Sequence, residues 1–295
     1  MTAVRASTPK VSVIVPHYHD LDGLALCLAS LGRQTYPKDR FEVIVADNAS
    51  PEGASAVEAV IAERAHLVVV PEKGAGPARN GGVAAASGEV LAFIDSDCVA
   101  EPAWIEEGVR SLQSFDFVGG RIRVLVADPA QLTPAEAFER VFAFNNRAYV
   151  ERQHFTVTAN LFCPRTLFDR AGGFKTGVSE DVEWSRRAQA TGFSLGYAPL
   201  AVVGHPARRS WAELVGKWKR INAETWGLSA GEPARRLRWL AWTLLLPASA
   251  VVHTAKVLAS PDLNSASQRL AAISVLFRLR FWRFGDSLRL LFSGA

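Results

Sequence analysis

The sequence predicts an α/β fold built on a parallel sheet, and three observations lead there. Short β-branched runs, Val11-Ser-Val-Ile-Val15 first among them, read as buried strands. Segments with apolar residues at helical spacing separate them, and strands alternating with helices at this spacing pair in parallel. Acidic residues stand just past two of the strands, Asp47 after the second and Asp95 and Asp97 after the fourth. Open α/β sheets bind ligands at those carboxyl ends.

The first strand, 11–15, is closed by Pro16, and Leu24, Leu28 and Leu31 set a helix over 21–35. A second strand covers 41–45 and runs into the turn-forming Asp47-Asn-Ala-Ser-Pro51. A helix over 53–65 and a strand over 67–70 follow. Gly74-Ala-Gly-Pro77 opens a small-residue helix over 74–87, and 90–94 is the fourth strand. Beyond it the pattern loosens into a strand over 117–126, a helix over 134–150 and an extended run over 155–162. Ala171-Gly-Gly-Phe174 breaks the chain before a helix over 181–191. A last extended run over 193–203 ends at Gly204-His205-Pro206.

The 295 residues are 49% hydrophobic and 21% charged, which supports a real core and excludes general disorder. The net charge of +4 is unevenly placed: residues 234–295 hold nine of the 33 Lys and Arg but two of the 29 Asp and Glu. There the cations are interleaved with Trp, Phe and Leu, which suits an anionic membrane rather than nucleic acid. The run 239–255 carries no formal charge but falls short of the roughly 20 apolar residues of a spanning helix. Residues 269–292 mix apolar side chains with Arg278, Arg280, Arg283 and Arg289, the composition of a helix lying in the membrane interface. A helical pair packed on the rest of the protein is the plainer alternative. Three dispersed cysteines, Cys27, Cys98 and Cys163, argue against a disulfide framework and a zinc site. Residues 1–10 lack the apolar core of a signal peptide, so a cytoplasmic location is expected, at the inner face of the cell membrane.

Asp95-Ser96-Asp97 puts two carboxylates on a turn beyond a buried strand. Carboxylate oxygens suit hard divalent cations, which also hold substrate phosphates. Alone the motif is weak, because short acidic turns often cap helices. Its company is stronger. Val11-Ser-Val-Ile-Val-Pro16 precedes Leu28-x-Ser30-Leu31-x-x-Gln34-Thr35 and Glu42-Val-Ile-Val-x-Asp47-Asn48-x-Ser50. Gly76-Pro-Ala-Arg79-Asn80-x-Gly82 precedes Ser87-Gly88-Glu89-x-Leu91-x-Phe93-Ile94-Asp95. Gly172-Gly173-Phe174 precedes Glu180-Asp181-Val182-Glu183-x-x-x-Arg187. In this order, over 11–220, the chain resembles a bacterial-type, non-processive family 2 glycosyltransferase. That family is inverting and has the GT-A fold, a Rossmann-like mixed sheet flanked by helices, here followed by a C-terminal helical membrane-associating segment.

The resemblance implies roles. Pro16 and Tyr18 line the nucleotide pocket, Asp47 accepts a hydrogen bond from the base, and Arg79 lies over the base or phosphates. Asp95 and Ser96 face the ribose, and Asp97, Asp95 and His205 hold Mn2+ or Mg2+. Asp181 is the catalytic base, with Glu180 its competitor. Glu183, Trp184 and Asn160 meet the acceptor, and Arg208, Lys217 and Arg220 contact the diphosphate or the membrane. Plainer roles exist: acids at a helix start offset its dipole, a lone histidine is commonly structural, and a basic run is commonly a solvated face.

The implied donor is a nucleotide-diphosphate sugar, UDP-linked by preference, with GDP- or dTDP-linked sugars as alternatives. The implied acceptor is a lipid-linked glycan or glycolipid, presented at a membrane touched by 234–292, with no nucleic acid partner. A flexible terminus over 1–10 precedes a catalytic domain over 11–230. That domain divides into a nucleotide half, 11–100, and an acceptor half, 101–230. A basic amphipathic segment covers 231–295.

The chain departs from the family pattern at His19, where Asn is usual, and at Cys98. It also lacks Gln-x-x-Arg-Trp after His205, although Lys217-Trp218-Lys-Arg220 stands near. That absence argues against a processive synthase. A polyprenyl-phosphate sugar synthase remains open, as does a non-catalytic sugar-nucleotide-binding scaffold. The missing G-x-G-x-x-G after the first strand argues against a dinucleotide-binding enzyme.

Overall fold

The computed structural model describes residues 8–293, and the chain divides into two compact units. Of the terminus expected to be flexible, 1–7 lie outside the described residues. In chain order the elements begin β1 (Val11–His17), α1 (Leu21–Leu31), β2 (Phe41–Asp47), α2 (Ala54–Ile61) and β3 (His66–Val69). There follow α3 (Ala75–Ala85), β4 (Val90–Phe93), β5 (Val99–Ala100), α4 (Trp104–Ser111) and β6 (Phe117–Leu125). Next come α5 (Pro134–Phe142), α6 (Asn146–Gln153), β7 (Leu161–Pro164), α7 (Arg165–Ala171) and α8 (Glu180–Ala190). The last are β8 (Leu195–Pro206), α9 (Trp211–Leu228), α10 (Arg235–Leu258) and α11 (Ala266–Phe292).

The eight strands form one mixed sheet in the order β3-β2-β1-β4-β7-β6-β8-β5. β3, β2, β1 and β4 run parallel, whereas β4–β7, β7–β6 and β8–β5 are antiparallel. The period-two alternation of strand side chains divides the first unit's core between the sheet's faces. Val11, Val13 and Val15 of β1 pack with Leu24 and Leu28 of α1, Val57 of α2 and Trp104 of α4. Ile14 points the other way, to Val83 of α3, Phe168 of α7 and Trp184 of α8. Helices thus cover both faces, as the buried parallel strands β2, β1 and β4 require.

β1 does not stop at Pro16 but pairs with β2 through His17, opposite Asp47. The carbonyl of His17 accepts from Asn48 and that of Ile14 from Ile94, so ladder alternation aims residue 16 at the β4 side. Pairing with β4 is registered only to Ile14, and the missing N–H of proline costs no ladder bond there. The single helix expected over 134–150 is two helices. The side chain of Asn145 accepts from the Ala148 amide and starts α6 afresh, 3.2 Å away.

The second unit comprises 124–144, 177–179 and the described residues from 206 on. Its core joins Phe138 and Val141 of α5, Leu214 of α9, Ala250 and Val257 of α10, and Ala272, Leu276 and Leu279 of α11. The last two helices differ in how much they bury. α11, expected to lie in a membrane interface, buries ten residues, including Arg283, Asp286 and Ser287. α10 buries only Trp239, Thr243, Leu246, Ala250 and Val257 of its 24 residues.

Candidate active site

The carboxyl ends of β1, β2 and β4 deliver the first residues. The register that sets His17 beside Asp47 closes a hydrogen bond between His17 Nδ1 and Asp47 Oδ1 at 2.9 Å. Ser50 adds its hydroxyl at 2.5 Å and its amide at 3.1 Å. Burial opposes ionisation of Asp47, but hydrogen bonds from Ser50 and His17 prevail and hold its carboxyl below the usual range. Asp47 is 1% exposed, so the carboxylate expected to meet the base is enclosed and already bonded by its neighbours. Asn48 ties the next loop down, donating to the Val70 and Glu72 carbonyls and accepting from the Gly74 amide. Tyr18 is exposed, with Lys73 Nζ 4.9 Å from its ring centroid, and Pro16 is half-buried.

α3 carries Arg79 inward because Gly82 lets the helix lie on the sheet. A Cβ there would fall 2.7 Å from Ile14 Cγ2. The buried guanidinium of Arg79 bridges two carboxylates, Asp95 through Nη2 at 2.7 Å and Glu180 through Nη1. Burial opposes its charge, yet Asp95, Glu180 and Asp181 together raise its pKa further. Arg79, expected over the base or phosphates, uses its two terminal nitrogens to join the end of β4 to the start of α8.

Asn80, the next residue, fixes the approach to α8. It donates to the Phe174 carbonyl and accepts from the Phe174 amide, both at 2.8 Å, and a side chain at Gly173 would meet its Oδ1. The two motifs separated by 92 residues of chain (Asn80 and Gly172-Gly173-Phe174) are therefore one device. It presents Glu180 to Arg79 and Asp181 to the Thr158 amide, which donates to Asp181 Oδ1 at 3.0 Å. Burial pushes the partly buried Asp181 carboxyl up to about 6, with Arg79 opposing and the like charge of Glu180 assisting.

Asp97 and His205 face each other, Oδ2 to Nε2 at 3.5 Å, because β5 pairs with β8 and sets Val99 opposite Gly204. Together with Cys98 they form a group whose candidate ligand atoms lie within 4.8 Å of one another. A carboxylate and an imidazole suit Mn2+, and the carboxylate suits Mg2+. Burial, then Asp95 and Asp97, push the Cys98 thiol well up, which leaves it neutral. Asp95 and Ser96 are half-buried on the same turn.

Several expected contacts are structural. Trp184 is fully buried, its ring among Phe117, Phe168 and Phe174 and its Nε1 donating to the Gly172 carbonyl at 2.9 Å. Asn160 is fully buried, accepting from Trp104 Nε1 and donating to the Arg121 and Ala201 carbonyls. Neither can touch an acceptor. Glu183 is ion-paired with Lys175 and Arg187 at 2.8 and 2.9 Å. In the second unit, Arg208 and Lys217, expected at the diphosphate or the membrane, converge on the buried Glu139, at 3.2 and 2.9 Å. Arg220 is exposed, 3.8 Å from Glu224. His17, Thr158 and Asn80 were given no role from sequence. The pairing of strand ends could have exposed His17, whereas nothing local marks Thr158.

A mixed sheet clad by helices on both faces, with acids gathered at the ends of its parallel strands, is the GT-A architecture of nucleotide-sugar transferases. Residues 12–177 match the profile described as glycosyl transferase family 2, and the chain belongs to that family and is a glycosyltransferase. α8 begins just beyond the matched stretch. Glycosyltransferase AglE of Haloferax volcanii is 31% identical over 225 residues, covering 74% of this chain and 73% of the relative. The uncharacterized glycosyltransferase YwdF of Bacillus subtilis is 27% identical over 179 residues, covering 59% of this chain and 65% of the relative. Among solved structures, mannosyltransferase PcManGT of Pyrobaculum calidifontis, in complex with GDP-Man and Mn2+, superposes with a TM-score of 0.62 at 20% identity. The match covers 97% of this chain and 88% of that one.

Proposed function

We propose that this glycosyltransferase moves a sugar from a nucleotide-diphosphate donor to a hydroxyl of a lipid-linked glycan or glycolipid. Transfer inverts the anomeric carbon, needs a divalent cation, and uses Asp181 as general base. The observation that carries the reading is the contrast at the start of α8. Glu180 is paired with Arg79, whereas Asp181 is held by the uncharged Thr158, and burial raises its pKa to about 6. A carboxylate tuned toward neutrality is a better proton acceptor than an ion-paired one. Asp181 takes the acceptor's hydroxyl proton as that oxygen bonds to the anomeric carbon. The bond from that carbon to the diphosphate oxygen breaks on the opposite face, so one displacement inverts the centre.

Asp97 and His205, with Asp95 beside them, would hold Mn2+ or Mg2+. The bound cation offsets the charge that grows on the departing diphosphate. The Arg79 clamp keeps Asp95 and Glu180 fixed on either side. PcManGT, with its GDP-Man and Mn2+, supports both the donor class and the cation. UDP-, GDP- and dTDP-sugars are the donors to try. Residues 11–100 supply the donor end of the site and α8 the acceptor end. The exposed apolar α10 supports work at a membrane surface, on its cytoplasmic side.

The test combines nucleoside diphosphate thermal shifts with transfer to a lipid extract. A nucleoside diphosphate at about 100 times its dissociation constant should stabilise the fold by roughly 2.7 kcal/mol, and only with Mn2+ or Mg2+ present. EDTA should abolish transfer and added Mn2+ restore it. Transfer by Asp181→Asn at the normal rate would sink the base assignment and indicate an ionised phosphate acceptor, as in a polyprenyl-phosphate sugar synthase. Tight nucleotide binding with no turnover on any lipid extract would indicate a scaffold.

A further inference from the structure

The second unit contains a cluster of cations that its own acids do not neutralise. Arg283 is 6% exposed, its guanidinium carbon 4.0 Å from the Trp218 ring centroid and 5.2 Å from that of Trp242. Its Nε donates to Asn222 at 3.2 Å. Neither terminal nitrogen has a hydrogen-bond or ion-pair partner among the described residues. The nearby carboxylate, Asp286, is engaged by Asn222 at 3.0 Å and by Arg289 at 2.9 Å. Arg280 lies within 3.3 Å of His253 Nδ1, and Lys256 stands 4.8 Å from the Phe142 centroid. Neither cation meets a carboxylate among the described residues. Trp218 Nε1 is buried there without a hydrogen-bond acceptor.

Burial, then Arg280, push the Arg283 guanidinium down to about 9, with Asp286 offsetting part of it. Burial, then Arg280 and Lys256, push His253 down. Desolvated cations without counter-charges are costly, and a phosphate group accepting from the guanidinium forks would relieve that cost.

The same helix supplies the second half of the argument. Between Arg238 and Lys256, every exposed residue of α10 is apolar: Trp242, Leu244, Leu245, Val251 and Val252, with alanines between them. Arg235, Arg236 and Arg238 flank this ridge at one end and Lys256 at the other. One face of the helix packs on α11: Trp239 and Ala250 are buried, and Trp239 Nε1 donates to the Ser287 carbonyl at 2.9 Å. A helix packed lengthwise, with an uncovered apolar face and cations at its ends, suits the boundary between headgroups and acyl chains.

We propose that α10 docks on an anionic phospholipid bilayer, its apolar ridge in the acyl boundary and Arg280, Arg283 and Lys256 facing lipid phosphates. Trp242 belongs to both halves, exposed on the ridge and stacked over Arg283. The inference deepens the membrane part of the proposed function and is independent of how sugar is transferred.

Sedimentation of the full chain with vesicles tests it. Vesicles containing phosphatidylglycerol should bind at least about tenfold more tightly than phosphatidylcholine alone, since each cation near a charged surface contributes about 1 kcal/mol. Arg280→Gln with Lys256→Gln should weaken binding to the anionic vesicles by roughly fivefold per residue and leave phosphatidylcholine binding unchanged. Leu245→Ser with Val252→Ser should weaken binding to both. Arg283→Gln is buried and is read only if its thermal midpoint is unchanged, so the half-buried Arg280 and the exposed Lys256 carry the test.

Equal wild-type binding to the two vesicles, or an Arg280/Lys256 double variant that binds as wild type does, overturns the proposal. So does inorganic phosphate that raises the thermal midpoint through Arg280 while vesicle binding shows no anionic preference. Nucleotide binding in solution should be the same in all variants. Transfer to a detergent-dispersed acceptor without vesicle docking would sink the docking alone. Docking without transfer would sink the catalytic reading alone.

Discussion

The donor end of the first unit and the start of α8 treat negative charge in opposite ways. At the donor end acids are compensated: Asp47 by His17 and Ser50, Asp95 by Arg79. At α8, Glu180 shares that same guanidinium, while its neighbour Asp181 is partly buried beside a like charge and held by the uncharged Thr158. One residue type is thus a fixed structural anion in one region and a reluctant anion in the other. What distinguishes them is the supply of donors, which adjacent positions on one helix can divide unequally.

The sharpest way to break this contrast is to neutralise each α8 acid separately. Asp181→Asn keeps the acceptor for the Thr158 amide and should lower kcat by roughly 10²–10⁴-fold, the usual contribution of a general base. Glu180→Gln should lose far less, because it leaves the proton acceptor in place. Steady-state transfer assays of the two variants decide, and equal losses would erase the distinction.

Next in size is Arg79→Met, which strands Asp95 and Glu180 without their cation. Removing one partner of a buried ion pair typically costs about 3–5 kcal/mol. Asp95 and Glu180 are partly solvated, which puts the expectation at the lower end. Denaturant unfolding measures it. A loss below about 1 kcal/mol, the size of a surface pair, would mean that Arg79 does not hold the two elements together.

The pH dependence sharpens the comparison from the Asp181 side. Its folded pKa, about 6, lies above its ordinary value of 3.8. The folded state therefore binds more protons between these values, and stability contributed by this group is present below 3.8 and lost as pH rises through about 6. Activity runs the opposite way, since the base must be ionised: kcat/KM should fall about tenfold per pH unit below about 6. Asp181→Asn should then be more stable than the wild type near pH 8, by about 1–3 kcal/mol, and gain nothing near pH 4. Thermal melts at the two pH values check the sign.

Much of the first unit is legible in the sequence because β-branched runs and leucine spacing report burial directly. Val11 to Phe93 follow that pattern, with boundaries displaced by a few residues. The failures share a cause, which is that composition does not say which face is covered. Arg283 reads as an exposed cation of an interfacial helix, yet Asn222 and Trp218 pack on it from another helix. Trp184 and Asn160 stand among motif residues and read as acceptor contacts. Their partners, Gly172, Trp104, Arg121 and Ala201, come from distant segments and make them core. The acids at strand ends are legible, but their individual states are not. Asp181 differs from Glu180 only through Arg79 and Thr158, both remote in the chain.

The smallest expected effect concerns Glu183, where the contrast is least decided. It lies one turn into α8 and is 17% exposed at its side chain, paired with Lys175 and Arg187. Burial acts against its charge, and hydrogen bonds from Arg187 and Lys175 outweigh it and lower the pKa. By that measure it belongs with the compensated acids. Glu183→Gln keeps the shape and an acceptor oxygen, so its stability loss should be below about 1 kcal/mol, as for other partly solvated pairs. A residue that only ties the turn to α8 would leave the acceptor KM unchanged. A residue that also meets the acceptor would raise KM with kcat held, the sign of lost uniform binding. A melting curve and an acceptor titration on the same preparation separate the two roles.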